Sequence, residues 1–221
     1  MMLCNCRFSV VTLAAAVAAC GGGTARTNPS DPFATIPISQ LPVGSLSGSN
    51  VLVLVAGGVV LGDTAGPLTE LEGQRTAILV TANEALDTAL RRDARDVNWM
   101  GLQEQRRLAR RNPTLGLDPD RLPTAYMAGP GVERVPDPLW SSIRTLSAVT
   151  GARYAIVPAA VRVTGREGAY VAEYVVVAAD TRSGGVVYRG RALGRPAVDL
   201  RTAFASAAAT LVATPLSQPR P

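Results

Sequence analysis

Three apolar stretches in the second half of the chain constrain its fold more than any other feature. Residues 154–163, 169–179 and 186–193 are rich in valine, alanine and tyrosine. Turn-forming residues separate them at 165–168 and 181–185, so these stretches predict an antiparallel meander of three strands. Pro158 removes a ladder donor from the first stretch, which predicts an edge position or a β-bulge there.

The rest of the chain predicts helices that cover a sheet containing this meander. Residues 51–55 are apolar and β-branched, as in a buried strand, and residues 97–100 form a second, short one. Residues 59–66 are ambiguous between a strand and a loop, and the proline-rich residues 113–136 predict an irregular excursion. Apolar spacing, caps and helix stops predict helices over residues 70–92, 102–111, 137–151 and 200–211.

These elements predict the α/β (α+β) class. We expect a mixed sheet of about five strands, covered by three to four helices, in a single domain over residues 51–214. The helix that contains Phe204 is expected to pack on one face of the meander. Residues 215–221 form a C-terminal tail.

The first 19 residues have the organisation of a signal peptide. The apolar run over residues 8–17 has the length of a signal-peptide core but is too short to span a bilayer. It ends in Val17-Ala18-Ala19-Cys20-Gly21, which resembles the bacterial lipobox. This resemblance implies cleavage after Ala19 and lipidation of the Cys20 thiol. A secreted protein cleaved after Ala19, with an incidental cysteine, is the alternative.

Residues 20–50 are rich in glycine, serine, threonine and proline, a composition typical of a flexible tether. Gly21 follows the cysteine, where an aspartate would retain a lipoprotein in the inner membrane in the enterobacterial pattern. The resemblance therefore implies a lipid anchor in the outer membrane, with the domain facing the periplasm.

The composition removes most catalytic repertoires. The chain has no histidine and no lysine, so that all 22 basic residues are arginines. Its three cysteines all lie within the first 20 residues. Catalytic triads, Schiff-base lysines, thiol chemistry and histidine metal sites are therefore excluded from the domain. We predict no cofactor, no metal ion and no enzymatic activity.

The order of the elements and several local sequences resemble a known α/β domain. The resemblance rests on the opening strand, the long helix before a short strand, residues 151–157, the turn within residues 180–188 and the alanine-rich last helix. Over residues 50–213 the chain resembles the domain shared by CsgG-type curli-assembly lipoproteins, the amino-terminal domain of TolB and the lipoprotein activators of penicillin-binding proteins. This resemblance implies work in the cell envelope by protein contact, with no catalytic residues to carry over. The proline that follows the first strand in many relatives is absent, because Ala56 stands there.

The segment over residues 91–111 is strongly basic, with seven arginines against three acidic residues. Behind a lipoprotein signal, the available polyanions are lipid headgroups, lipopolysaccharide and acidic protein surfaces rather than nucleic acid. A solvated helix face is the alternative. Trp140, in the first turn of a helix, is a candidate aromatic anchor. The predicted interface residues are Trp140, Arg106, Arg107, Arg110 and Arg111. The partner would be an unidentified envelope protein, and self-association is left open.

Carboxylates offer the remaining route to an enzyme. One set lies along the first predicted helix and consists of Glu70, Glu72, Glu84 and Asp87. Such a set could act as a paired-carboxylate hydrolase on peptidoglycan or glycan, although its positions fit solvent exposure better. Asp118 and Asp120 could hold calcium, but a solvated turn is favoured because their neighbours supply few oxygen ligands. We therefore predict a non-enzymatic binding or scaffolding lipoprotein of envelope assembly, with the hydrolase as the alternative.

Overall fold

The structure is a computed structural model that describes residues 33, 35–62, 69–166 and 168–212. Six strands and four helices form the framework of these described residues. The strands are β1 (Asn50–Val53), β2 (Val59–Leu61), β3 (Asn98–Met100), β4 (Tyr154–Arg166), β5 (Ala169–Asp180) and β6 (Val186–Leu193). The helices are α1 (Arg75–Asp93), α2 (Leu102–Arg111), α3 (Leu139–Thr150) and α4 (Leu200–Val212). Short 3-10 turns lie at Val43–Leu46, Thr69–Gln74, Pro113–Leu115 and Thr124–Ala128.

One mixed sheet contains all six strands. Its order is β3-β1-β4-β5-β6, and β2 also pairs with β4. β1 runs parallel to β3 and β4, with Val51 opposite Trp99 on one side and Tyr154 on the other. β4, β5 and β6 form the antiparallel meander. The predicted class and meander are confirmed. The sheet has six strands because Val59–Leu61, which the sequence left ambiguous, pairs with residues 161–163.

Pro158 and Gly151 have the structural effects that the sequence predicts for them. The pairing of β4 with β5 shifts between Pro158 and Ala160. Because β4 is a central strand, a bulge rather than an edge position accommodates this proline. Gly151 ends α3 with φ at 66°, and its N–H donates to the carbonyl of Ser147 at 2.8 Å. A left-handed residue at this point favours glycine, so α3 ends where the sequence predicts.

Helices α1 and α4 cover one face of the sheet. Tyr174 of β5 is fully buried there, and its hydroxyl donates to the carbonyl of Ala82 in α1 at 2.7 Å. Its ring meets the ring of Phe204 edge-on, with 5.6 Å between centroids. Burial raises the pKa of Tyr174, so this hydroxyl remains a donor at neutral pH. The predicted packing of the last helix on the meander is confirmed.

Helix α3 and the excursion over residues 113–136 cover the other face. α3 packs there through its buried residues Leu139, Ile143 and Leu146. Met127 of the excursion is fully buried in the same core. Arg189 of β6 holds this region by donating to the carbonyl of Met127 at 2.8 Å and to that of Val132 at 2.7 Å. The excursion is irregular, as predicted, and it is packed against the sheet.

The prediction of a flexible tether over residues 20–50 is wrong for the part that the structure describes. Five apolar side chains there have at most 6% of their surface exposed, namely Phe33, Ile36, Leu41, Val43 and Leu46. The N–H of Leu41 donates to the carbonyl of Leu211 in α4 at 2.8 Å. Ile38 bridges to Arg191 on the outer edge of β6. The described residues from Phe33 onward are therefore already part of the packed domain. The composition does not predict this packing, because the contacts form without long helices or strands.

A buried ion-pair network fastens this N-terminal segment to the sheet. The side chain of Glu173 in β5 is only 6% exposed; it accepts from Arg191 at 3.0 Å and lies 3.5 Å from Arg162. Arg191 also donates to the carbonyl of Ile36 at 2.7 Å. The guanidinium of Arg162 lies 4.8 Å from the ring centroid of Phe33, within the range of a cation–π contact. One carboxylate thus orders two arginines, and both of them contact the N-terminal segment.

Candidate interaction surfaces

The predicted lipidation site Cys20 and the cleavage site Ala19 lie outside the residues that the structure describes. Lipidation at Cys20 therefore stays a prediction. Within the described ranges, no helix combines the length and the apolar character that a membrane crossing needs.

Helix α2 carries the four arginines that the sequence predicts as an interface. Gly101 precedes its first turn in an extended conformation, and Asn112 ends it before Pro113. Arg106 is engaged within the chain, since its guanidinium donates to both carboxylate oxygens of Asp120 at 2.5–3.1 Å. This hydrogen bond raises the pKa of Arg106. Arg106 therefore fixes the excursion to α2 and is the least available of the four.

The other three arginines of α2 project into solvent. Arg107 is exposed and lies 3.6 Å from a carboxylate oxygen of Glu104, one turn earlier. Arg110 and Arg111 occupy the last turn, where the helix dipole favours positive charge. Both are exposed, and no ion pair joins either of them to another described residue. The C-terminal end of α2 is therefore a basic surface, which we define as Arg107, Arg110 and Arg111.

Trp140 is half-buried at the start of α3. A Cβ placed on Gly184, in the turn between β5 and β6, would lie 3.3–3.4 Å from three atoms of the indole. Gly184 has φ at 72°, so this position favours glycine both for its backbone and for the indole packed over it. The guanidinium of Arg144 lies 6.0 Å from the ring centroid. Most of the indole thus packs within the domain, and a role as an interface anchor stays a prediction.

Asp118 and Asp120 form a solvated turn. Asp118 accepts the N–H of Asp120 at 3.1 Å, and Asp120 is held by Arg106. Arg121 lies 3.7 Å from Asp118. Among the described residues, no group of three or more acidic side chains is placed to hold a metal ion. Both carboxylates therefore contact arginines, and this geometry supports the solvated turn that the sequence favours.

A cleft opens between α1 and α2 at the carboxyl end of β1. Its volume is about 250 Å³. Its floor consists of apolar residues from the end of β1, the two residues that follow it and the two helices, namely Val53, Leu54, Val55, Leu86 and Leu102. Its rim is polar and consists of Asn83, Glu84, Asp87, Arg91, Gln103 and Glu104. In open α/β sheets, ligands bind in the crevice beyond the carboxyl ends of the strands, and this cleft occupies that position.

Arg91 links two carboxylates in the rim of this cleft. Its Nε donates to Asp87 at 2.8 Å, and its Nη2 donates to Glu104 at 3.2 Å. The hydrogen bond that Arg91 donates to Asp87 is the largest cause of the raised pKa of Arg91. A Cβ on Gly101 would lie 2.5 Å from Oδ1 of Asp87, so the network packs directly against Gly101 and would have to shift to admit a side chain there. Asp87 and Glu104 also stand near the N-terminus of α2, whose dipole favours negative charge.

The predicted carboxylate set is only partly brought together. Glu84 and Asp87 line the cleft, whereas the side chains of Glu70 and Glu72 lie outside the description. Glu104 joins them from α2, although the sequence did not single it out for this site. Glu84 is exposed, and no ion pair joins it to another described residue.

Gln105 anchors α2 beside this cleft. It is completely buried, and its amide donates to the carbonyls of Val53 and Met100, both at 2.8 Å. It therefore joins α2 to the carboxyl ends of β1 and β3. The sequence analysis did not single out Gln105 among the polar residues around it. The signal that could have identified it is its position, because Gln105 is a polar residue on the apolar side of a strongly basic helix.

The described residues thus define an α/β domain with a mixed sheet, a basic helix end and an acid-rimmed cleft. No family model matches the chain, and no curated protein matches it. Its structure is similar to the C-terminal domain of LpoB from Escherichia coli, at 15% identity over 69% of this chain and 92% of that chain, with a TM-score of 0.39. It is also similar to lipoprotein GNA1162 from Neisseria meningitidis, at 13% identity over 67% and 81% of the two chains, with a TM-score of 0.35.

A further similarity is to a PelC dodecamer from Paraburkholderia phytofirmans, at 16% identity over 80% of this chain and 91% of that chain, with a TM-score of 0.33. These similarities, at low sequence identity, concern the fold alone. At that level, the resemblance expected from the sequence is confirmed.

Proposed function

We propose that this chain is an outer-membrane-anchored periplasmic lipoprotein that acts as a non-enzymatic binding or scaffolding component in cell-envelope assembly. The sequence Val17-Ala18-Ala19-Cys20-Gly21 supports the anchor. The observation that carries the binding role is the basic surface of Arg107, Arg110 and Arg111 at the end of α2. Its guanidinium groups face solvent beside a rigid helix, and they suit an acidic surface on an envelope protein.

The geometry of the cleft favours binding over the hydrolase alternative. Glycoside hydrolases need two carboxyl groups that flank an open gap in which the scissile bond lies. Here the guanidinium of Arg91 stands between Asp87 and Glu104 and holds both of them. The gap between these two carboxylates, which a substrate bond would need, is therefore filled by a side chain of the protein.

Lipidation is tested by metabolic labelling with a fatty-acid analogue. The wild-type chain should be labelled, whereas Cys20→Ser should lose the label and accumulate as a soluble or uncleaved precursor. Fractionation of the labelled wild type should place it with the outer membrane. Cys4→Ser serves as the control and should label like the wild type. Equal labelling of the Cys20→Ser variant would refute the anchor.

Partner binding through the basic surface is tested by photo-cross-linking in the native envelope, with the cross-linker at Arg107. We expect a discrete product with one envelope protein. Arg110→Glu combined with Arg111→Glu should reduce that product roughly tenfold, because two favourable charge contacts become repulsive. Arg121→Glu is the matched control, since Arg121 is an exposed arginine that lies outside this surface. A product that the double variant leaves unchanged would contradict the assignment of this surface.

A further inference from the structure

The cleft between α1 and α2 differs in charge from the rest of the molecule. The whole chain has a formal net charge of +5. The residues that line the cleft include three carboxylates, on Glu84, Asp87 and Glu104, and one guanidinium, on Arg91. Arg107 approaches Glu104 at 3.6 Å but does not line the cleft. The rim is therefore acidic in a basic protein, and it suits a cation.

The carboxylates in the rim have unused capacity to accept hydrogen bonds. Oδ2 of Asp87 accepts from Arg91, whereas Oδ1 of Asp87 is buried and has no hydrogen-bond partner among the described residues. Oδ1 is closed to a ligand because it packs against Gly101, but the side chain of Asp87 is 39% exposed, and its Oδ2 can accept a second hydrogen bond. Glu84 is exposed at the same rim and forms no ion pair with another described residue. Two of the three carboxylates can therefore bind more donors than the described residues supply.

The size and floor of the cleft restrict the occupant further. Sites for drug-sized ligands span roughly 300–1,000 Å³, so a volume of about 250 Å³ suits one long side chain. The floor is apolar from Val53 to Val55 and at Leu86 and Leu102. An aliphatic stem can bury itself on such a floor while its charged end stays at a polar rim. Arginine and lysine side chains have this combination of stem and charge.

We propose that the cleft is a docking site for a single basic side chain, arginine or lysine, presented by a partner protein. The stem would lie on the floor between β1 and Leu102, and the cationic head would donate to Glu84 and Asp87 at the rim. This site differs from the basic surface in charge and in lining residues, although Arg107 of that surface lies 3.6 Å from Glu104 of the rim. It goes beyond the proposed function, because it assigns a second surface and the chemistry of the group that it recognises.

The test is a titration of the full chain, purified in a non-ionic detergent and labelled with ¹⁵N, with N-acetyl-arginine amide. We expect saturable shifts of the amide signals of Asn83, Leu102 and Gln103. N-acetyl-citrulline amide is the neutral isostere, and it should produce no saturable shifts. Glu84→Gln combined with Asp87→Asn should weaken the binding of the arginine probe by about tenfold, since charge-assisted hydrogen bonds are lost.

Two further variants keep the test independent of folding defects. Asp118→Asn removes an acidic side chain away from the cleft and should bind the probe as the wild type does. Arg91→Gln removes the ion-pair partner of Asp87 and one of the two ion-pair partners of Glu104, so it should bind the probe more tightly. Equal shifts with the citrulline probe, or unchanged affinity in the double variant, would overturn the proposal. So would self-association that occupies the cleft before any probe is added.

Discussion

Glu173→Gln is expected to lower the free energy of unfolding by about 3 kcal/mol, because it removes the buried carboxylate that two partly buried guanidinium groups share. Glu173 is the shared partner of Arg162 and Arg191, and its side chain is only 6% exposed. For a domain of this size, the loss corresponds to a fall in Tm of about 6–12 °C. Thermal unfolding followed by circular dichroism measures it directly.

The control for this substitution is Asp118→Asn, which removes a carboxylate from an exposed pair with Arg121. Exposed pairs contribute little, so its Tm should stay close to that of the wild type. If Glu173→Gln changed the Tm no more than this control does, the network would have no structural role. Proteolysis adds a second measurement, because the N-terminal segment should become more accessible when Arg162 and Arg191 lose their common partner.

A chain that begins at residue 50 is expected to lose its cooperative unfolding transition, whereas a chain that begins at residue 32 should keep it. The shorter chain lacks five buried side chains between Phe33 and Leu46. Burial of such side chains contributes about 1.5–3 kcal/mol each, opposed by the entropy cost of ordering the segment. The gross loss is comparable with the whole stability of a typical domain, about 5–15 kcal/mol.

The two truncated chains are compared by urea unfolding against the chain that begins at residue 21. Equal midpoints for the chains beginning at residues 21 and 32 would place the boundary of the packed domain near Phe33. A stable, cooperative chain from residue 50 would contradict this boundary and restore the longer tether.

The sequence predicts well those elements that carry their own local signals. α2 begins and ends as predicted because Asn112 and Pro113 stop it. The position of the bulge follows from Pro158, and the end of α3 from Gly151. These residues act through backbone geometry that does not depend on distant partners.

The elements that the sequence misses depend on contacts between distant parts of the chain. Ile36 and Leu41 lie in a segment of tether-like composition, and only their contacts with β6 and α4 order them. An apolar residue every few positions among the prolines and serines was the available signal, but it follows neither the helical nor the strand period. The cleft is missed for a similar reason, since its rim joins Glu84 on α1 with Glu104 on α2.

The early start of the packed domain limits the distance at which a partner can be met. Cys20 and Phe33 are thirteen residues apart, which span at most about 45 Å when fully extended. A free tether as far as Asn50 would have allowed about 105 Å. With a lipid on Cys20, Phe33 can therefore never lie further than about 45 Å from the anchoring leaflet. The domain would therefore stay tethered close to whichever membrane carries the lipid, and a partner would have to be met within this reach plus the dimensions of the domain itself.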